Sequence, residues 1–260
     1  MSEKHLVSLS DIEQASKRLT GIIRPTVMVH AGWLERQINQ PVYLKPENLQ
    51  RAGSFKIRGA YNLMSQLSEN DKKKGVVAAS AGNHAQGVAL AAQLLGIKSK
   101  VYMPVSASIP KVLATKGYGA EVKFAGDTID VSIAEARKDS EQTGSIFISP
   151  FDHPHIVAGQ GTVGLEIIEQ LPDVKTVLVC TGGGGLIAGS ALAIKKRNPK
   201  VKVIGVQAEN AAAYPQSLKE GKPVALKNMN TMADGIAVGK PGDVPFAIIK
   251  DYVDEIITVS

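Results

Sequence analysis

Short apolar runs alternate with stretches of helical period from Gly75 towards the end of the chain. The runs have the length of single strands, and the stretches between them repeat apolar residues every three or four positions. Strands that alternate with helices in this way form parallel sheets covered by helices. The sequence therefore predicts an α/β fold.

The predicted elements form two series. The first has strands at 76–79, 101–103, 121–124 and 146–148 and helices at 82–95, 109–115 and 129–142; the second has helices at 157–171 and 186–196 and strands at 176–180, 201–206 and 255–259. Proline and glycine are dense between Ser149 and Gly161, which favours a crossing between two lobes there. We predict a large domain from residues 1–51 and 147–260 and a small domain from residues 52–146.

Bulk properties exclude several classes of protein. No run of 18 apolar residues occurs and residues 1–7 lack the apolar core of a signal peptide, so we expect a cytoplasmic protein without a membrane partner. Cys180 is the only cysteine, which rules out an internal disulfide. The net charge is +6, but the basic runs at 72–74 and 195–197 are short and lack interleaved aromatic residues. We therefore expect no nucleic-acid partner.

Four consecutive glycines, residues 182–185, separate the predicted strand at 176–180 from the next predicted helix. Free backbone N–H groups and the helix dipole favour an anion at such a junction. A plain turn would not need so many glycines, because each one adds entropy to the unfolded chain. We interpret the run as a phosphate cradle.

The identity of the phosphate ligand stays open at this point. Gly183, Gly185 and Ala188 match the dinucleotide fingerprint, and Glu209 follows the next strand, where a ribose-binding acid belongs. This pattern would suit a nicotinamide-dependent dehydrogenase. A Walker nucleotide site is excluded because no Gly-Lys-Ser/Thr follows the glycines.

Lys56 lies between Phe55 and Ile57 at the predicted start of a helix. Desolvation there would lower the pKa of its amine, and a neutral amine can form an imine with an aldehyde and later act as a base. A second strand-to-helix loop, residues 80–87, could hold another anion such as a carboxylate. Taken singly, Lys56 could be a solvated charge and Ser80 a helix cap.

Taken together, four segments resemble the fold type II pyridoxal-phosphate (PLP) enzymes, specifically the serine/threonine dehydratase family that includes threonine ammonia-lyase and serine racemase. The segments are residues 54–60, 80–87, 159–162 and 182–189, in the order of the family. The resemblance covers essentially the whole chain. It implies a two-lobed fold like the tryptophan synthase β chain, with parallel sheets flanked by helices.

The resemblance also implies the roles of individual residues. Lys56 should be the Schiff-base lysine, and it is the one residue to which the resemblance assigns a catalytic role. The other implied cofactor contacts are Phe55 at the ring, Asn83 at the ring hydroxyl, Gly182, Gly183, Gly184, Gly185 and Leu186 at the phosphate, and Gly235 near the cofactor. The loop expected to grip the substrate carboxylate, mainly through backbone N–H groups, contains Ser80, Ala81, Gly82, Asn83 and His84.

The implied reaction is α,β-elimination. Lys56 removes the α-proton, the PLP ring spreads the charge, and L-threonine or L-serine yields a 2-oxo acid and ammonia. Racemases of the family carry a serine where this chain has Ala81, so we rank dehydration above racemisation. The resemblance further implies a homo-oligomer, a dimer or tetramer, acting in amino-acid metabolism, isoleucine biosynthesis included.

Two departures from the family are visible. Some relatives bind a cation through an acid, a carbonyl and a second acid; Glu209 and Ala213 suit the first two, but Pro215 replaces the third, so we assign no metal. The family also continues beyond the position of Ser260 and supplies there a hydroxyl to the pyridine nitrogen. We therefore expect the C-terminal part of the large domain to be missing. A nicotinamide dehydrogenase and a PLP-binding fragment without turnover remain alternatives.

Overall fold

The computed structural model describes residues 7–260, so most of the N-terminal stretch considered for a signal peptide lies outside the described residues. The α-helices are α1 Leu9–Leu19, α2 Gly32–Ile38, α3 Lys56–Met64, α4 Glu69–Lys74, α5 Asn83–Leu95, α6 Ile109–Gly117, α7 Ile129–Thr143, α8 Pro154–Gln170, α9 Gly185–Arg197, α10 Tyr214–Glu220 and α11 Asp243–Tyr252. The strands are β1 Val29–His30, β2 Tyr43–Leu44, β3 Val76–Ala79, β4 Ser99–Met103, β5 Glu121–Phe124, β6 Ile146–Phe147, β7 Thr176–Cys180, β8 Lys202–Ala208 and β9 Glu255–Val259.

The strands form two parallel sheets and one short antiparallel pair. The first parallel sheet has the order β5-β4-β3-β6 and the second has the order β7-β8-β9, while β1 pairs antiparallel with β2. Helices connect successive strands of both parallel sheets, as the alternating pattern predicted. The α/β prediction is therefore confirmed.

Strand β3 shows why its sequence is apolar throughout. All four of its residues are buried. Val76 and Ala78 pack in one cluster with Val88 of α5, whereas Val77 and Ala79 pack in another with Ala136 of α7. Alternate residues of a strand point to opposite faces, so helices cover both faces of this sheet.

Helix α8 packs tightly between α3 and α9 because glycines face both neighbours. A Cβ on Gly159 would lie 2.6 Å from Cα of Gly59 in α3, and a Cβ on Gly161 would lie 2.9 Å from the carbonyl oxygen of Gly189 in α9. Gln160, between them, accepts a hydrogen bond from N–H of Gly59 at 3.2 Å. The segment 159–162 therefore fixes the distance between the helix that carries Lys56 and the helix that follows the glycine run.

Most predicted elements agree with the structure to within two or three residues, and the predictions for β3, β5, β7 and β9 match it residue for residue. The helix predicted at 157–171 begins earlier, at Pro154, because Nδ1 of His153 caps it by accepting from N–H of His155 at 3.1 Å. The strand predicted at 201–206 is shifted to 202–208. In the described part of the chain, no helix is long and apolar enough to cross a bilayer. The division into domains at residues 52 and 146 stays a prediction.

Candidate cofactor site

Lys56 is the first residue of α3, and its side chain enters a pocket beside the glycine run. Its Nζ donates a hydrogen bond to the carbonyl oxygen of Pro150 at 2.8 Å and lies 5.2 Å from the centroid of the Phe55 ring. The pocket lining also includes Phe151, residues 180–187 and residues 235, 236 and 238. One primary amine therefore faces a strand-to-helix junction across a mostly apolar space.

Burial governs the titration of this amine. Desolvation lowers the pKa of Lys56 from 10.5 to about 8, as its apolar neighbours predicted.

Burial and the nearby charge of Lys56 lower the pKa of His84 to about 3. Nε2 of His84 lies 2.9 Å from the carbonyl oxygen of Ile148, which can only accept, so this nitrogen carries the proton and donates. His84 is thus a neutral neighbour at physiological pH.

The lowered pKa makes a kinetic prediction. Only the neutral amine attacks an aldehyde, so the rate at which Lys56 captures pyridoxal should rise with pH and level off above about pH 8. An ordinary lysine would keep gaining rate up to about pH 10.4. Stopped-flow absorbance of the protein mixed with pyridoxal measures this profile, with the Lys56→Ala variant reporting the background from other lysines. A midpoint above pH 10 would contradict the assignment of a desolvated amine.

The glycine loop, defined as residues 181–186, joins β7 to α9. The backbone N–H groups of residues 182–186 donate to no other described residue. They lie at the N-terminus of α9, which is 13 residues long and carries the partial positive end of its dipole there. The loop therefore offers several N–H donors and a favourable potential to an anion in the pocket.

Two aromatic side chains pack against the glycine loop, Phe151 in the pocket lining and Tyr214 outside it. A Cβ on Gly183 would overlap the Phe151 ring, and a Cβ on Gly184 would overlap the hydroxyl of Tyr214. Tyr214 is fully buried and its Oη donates to the carbonyl oxygen of Gly183 at 3.1 Å. Burial also raises the pKa of Tyr214, which keeps the hydroxyl protonated as a donor. Packing of Phe151 and Tyr214 against the loop therefore favours glycine at positions 183 and 184, as the close approach of an anion also would.

Alanine at position 184 should damage both stability and anion binding. Gly184 has φ +99, which an alanine tolerates poorly, and the added methyl would meet Tyr214. Backbone strain and overpacking each cost roughly 1–3 kcal/mol, so we expect Gly184→Ala to lower the free energy of unfolding by about 2–6 kcal/mol in urea denaturation. Gly221→Ala is the matched control, because Gly221 has φ +69 with nothing near its Cβ position. An equal loss of unfolding free energy in the two variants would show that the contact with Tyr214 adds nothing to the cost of alanine at position 184.

Comparison with known proteins decides the family. The family model described as pyridoxal-phosphate dependent enzyme matches residues 19–260. The chain belongs to this PLP-dependent family. An L-threonine ammonia-lyase of Thermotoga maritima is 49% identical over 255 residues, which are 98% of this chain and 64% of that relative. The chain thus spans less than two thirds of that relative's length.

Solved structures of the same family share the fold. A maize serine racemase superposes with a TM-score of 0.95 at 35% identity, over 98% of this chain and 77% of that one. A processed threonine deaminase isoform 2 of Solanum lycopersicum superposes with a TM-score of 0.92 at 41% identity, over 97% of this chain and 69% of that one. The predicted fold type II architecture is confirmed.

The residues in the pocket fit PLP. Unpartnered N–H groups at the glycine loop suit its phosphate, and the amine of Lys56, with its lowered pKa, suits its aldehyde. Apolar side chains of Phe55, Ile236 and Val238 line the space between them. Glu209, the acid that a dinucleotide ribose would need, is exposed and does not line the pocket. The dinucleotide interpretation of the glycine run is therefore set aside.

The structure brings most of the expected cofactor contacts to one place. Phe55, Lys56, Gly182, Gly183, Gly184, Gly185, Leu186 and Gly235 all line the pocket. Asn83 does not line it, but it precedes Gly87 by one helical turn on the same face of α5. A Cβ on Gly87 would lie 3.0 Å from the backbone of Lys56. Helix α5 therefore packs directly on the segment that carries the amine.

The expected substrate loop is partly engaged with itself. N–H of Gly82 donates to Oγ of Ser80 at 3.1 Å, and N–H of Ser80 donates to the carbonyl oxygen of Tyr102. The N–H groups of Ala81, Asn83 and His84 donate to no other described residue. These three N–H groups of the loop therefore remain available to donate to a carboxylate.

An ion pair near the pocket was missed by sequence reasoning. Nζ of Lys111, in α6, lies 2.8 Å from Oδ2 of Asp234, which precedes the pocket residue Gly235. The same Nζ lies 3.7 Å from the Cβ position of Gly82. Lys111 and Asp234 are 123 positions apart, and no local pattern indicates that they meet. The pair links the expected substrate loop to the segment at the pocket.

Proposed function

We propose that this protein is a PLP-dependent ammonia-lyase that converts L-threonine to 2-oxobutanoate and ammonia, and L-serine to pyruvate and ammonia. The supporting observation from the structure is a single pocket in which a desolvated lysine amine faces unpartnered N–H donors. The substrate class rests on the 49% identity to a relative named L-threonine ammonia-lyase.

We assign the cofactor contacts as follows. Gly182 to Gly185 and Leu186 would hold the phosphate through backbone N–H groups. Phe55 would pack by the ring, and the backbone of Gly235 would lie near the cofactor. Asn83, the first residue of α5, would hydrogen-bond the ring hydroxyl. When bound, PLP supplies an aldehyde for covalent attachment of an amine and a conjugated ring that takes up charge from the adjoining carbon.

Lys56 performs the proton transfer. Burial lowers the pKa of its amine to about 8, so an amine that is not covalently attached is half neutral near that pH. A neutral amine accepts the proton from the α-carbon of the substrate. The carbonyl oxygen of Pro150, at 2.8 Å, accepts a hydrogen bond from Nζ and restricts where the amine points.

The loop from Ser80 to His84 binds the substrate carboxylate. The N–H groups of Ala81, Asn83 and His84 are its available donors, while the neutral ring of His84 anchors the loop to Ile148. Ala81 offers no hydroxyl to return a proton to the opposite face of the substrate. Dehydration should therefore prevail over racemisation.

Serine racemisation is the second candidate, because the maize protein named serine racemase superposes over 98% of the chain. A protein that binds PLP without turnover is the third. The assay that separates them adds L-threonine or L-serine to the PLP-loaded protein and follows 2-oxo acids and D-serine together. Formation of 2-oxobutanoate without D-serine supports the proposal. D-serine as the main product would overturn it, and bound PLP without either product would favour binding alone.

We further propose a cytoplasmic homo-oligomer, a dimer or tetramer, that serves amino-acid metabolism, isoleucine biosynthesis included. The lone cysteine, Cys180, suits a reducing compartment. Sedimentation of the purified protein would give the number of subunits.

A further inference from the structure

Two buried side chains hold carbonyl oxygens of the glycine loop from behind. Nε2 of Gln207, in β8, donates to the carbonyl oxygen of Thr181 at 3.2 Å. Oη of Tyr214 donates to the carbonyl oxygen of Gly183 at 3.1 Å. Both side chains are fully buried and neither lines the pocket. We call Gln207 and Tyr214 the carbonyl brace.

The two members of the brace are connected to each other. The backbone N–H of Tyr214 donates to Oε1 of Gln207 at 3.0 Å. That hydrogen bond fixes which end of the Gln207 amide is the acceptor, so its Nε2 is directed at Thr181. The brace therefore acts as one unit on two carbonyl groups of the loop.

Fixing a carbonyl group also fixes the N–H group of the same peptide bond. None of the described peptide bonds is cis, and in a trans peptide the C=O and N–H bonds point in opposite directions. With the oxygens of Thr181 and Gly183 held by the brace, the N–H groups of Gly182 and Gly184 point away from it. They donate to no other described residue, and both glycines line the pocket.

We infer that Gln207 and Tyr214 are positioning residues that aim the N–H groups of Gly182 and Gly184 at the cofactor phosphate. The inference rests on the proposed placement of the phosphate in the glycine loop. Donors that are oriented before binding need no rearrangement when the anion arrives, which raises affinity. The brace should therefore strengthen binding of the phosphate and leave the rest of the cofactor unaffected.

The test compares PLP with pyridoxal, which lacks the phosphate, in the Tyr214→Phe variant. Loss of one buried hydrogen bond should weaken PLP binding about 10-fold, while pyridoxal binding changes less than about 2-fold. Gly183 keeps a second donor, N–H of Gly242 at 3.2 Å, so the loss should be partial. Absorbance titration of the cofactor-free protein gives both dissociation constants.

Ser217→Ala is the matched control. Oγ of Ser217 is fully buried on the same helix, α10, and donates to the carbonyl oxygen of Ala213 at 2.7 Å without touching the glycine loop. This variant loses that bond and also the one that Oγ accepts from N–H of Val224 at 2.9 Å, but its preference for PLP over pyridoxal should match that of the unchanged protein. A preference that falls as far in Ser217→Ala as in Tyr214→Phe would overturn the inference.

The remaining outcomes are equally decisive. Equal weakening of PLP and pyridoxal in Tyr214→Phe, or no weakening of PLP, would overturn the role of the brace. If the unchanged protein does not prefer PLP to pyridoxal, the placement of the phosphate in the loop fails, and the inference fails with it.

A second measurement avoids substitution, in case Tyr214→Phe does not fold. In protein labelled with ¹⁵N-glycine, titration with inorganic phosphate should shift the amide protons of Gly182 and Gly184 downfield. Gly221, which lies in an open turn, should not shift. Binding of phosphate that leaves both Gly182 and Gly184 unshifted would contradict the inference.

Discussion

Replacing Lys56 with alanine should lower the rate of 2-oxobutanoate formation from L-threonine at least about 1000-fold. A positioned general base alone contributes about 100- to 10,000-fold, and Lys56 also provides the covalent attachment of the cofactor. Among the residues that the structure describes, Lys56 is the only lysine in the pocket lining, so no second lysine there could substitute for it. The assay follows 2-oxo acid formation under saturating PLP and substrate.

The control for this variant is Lys100→Ala. Lys100 lies in β4 and pairs with Asp139 at 2.8 Å, and it does not line the pocket. Its loss removes one partly buried charge without touching the proposed chemistry, so activity should stay within about 2-fold of the unchanged protein. More than about a tenth of the activity surviving in Lys56→Ala would contradict the assigned role.

Replacing Arg58 with alanine should lower the free energy of unfolding by about 3–5 kcal/mol. The guanidinium is fully buried and donates to Glu47 at 2.8 Å, to Glu166 at 2.5 Å and to Oγ1 of Thr162 at 3.0 Å. Burial opposes its charge, but the hydrogen bonds to the two carboxylates outweigh burial and raise the pKa of Arg58. Without the guanidinium, the carboxylates of Glu47 and Glu166 each lose a charged partner while they stay largely shielded from solvent.

Urea denaturation of three variants tests this prediction. Arg58→Lys keeps the positive charge but cannot make the forked contacts of a guanidinium. Its free energy of unfolding should therefore lie between those of Arg58→Ala and the unchanged protein. Arg197→Ala breaks an exposed pair with Glu13 at 2.6 Å and should cost under about 1 kcal/mol. A loss in Arg58→Ala no larger than that in Arg197→Ala would contradict a stabilising role for the buried network.

Much of the fold could be predicted because its signals are local. The alternation of strands and helices from Gly75 onwards placed the sheet strands, and Gly96 and Gly144 end α5 and α7 in the left-handed conformation that glycine favours. No elements were predicted for residues 7–52, where the structure has α1, α2 and the two-residue strands β1 and β2. Strands that short give no measurable period.

The site was predictable to the extent that its motifs are contiguous. Lys56 and the glycine loop each show their chemistry in a few neighbouring residues, and the resemblance to one family joined them. The residues behind them were missed, because their contacts are long-range. Tyr214 meets Gly183 across 31 positions and Arg58 meets Glu166 across 108, and nothing near either residue in the sequence indicates its partner.

The structure adds to one prediction, which concerns the glycine run. Sequence reasoning attributed the run at 182–185 to the close approach of an anion. The structure shows that Phe151 and Tyr214 occupy the space where side chains of Gly183 and Gly184 would stand. The close approach of an anion stays a prediction, and the structure adds a second reason for glycine at these positions. Packing of Phe151 and Tyr214 against the loop is a second constraint on the same residues.

The central claim is that Lys56 attaches the PLP cofactor in the pocket formed with the glycine loop. Borohydride reduction of the PLP-loaded protein, followed by peptide mass mapping, tests it most directly. We predict one phosphopyridoxyl group per chain, on the peptide that contains Lys56, and its absence in Lys56→Ala. A folded protein that carries the group on another lysine, or on none, would contradict the claim.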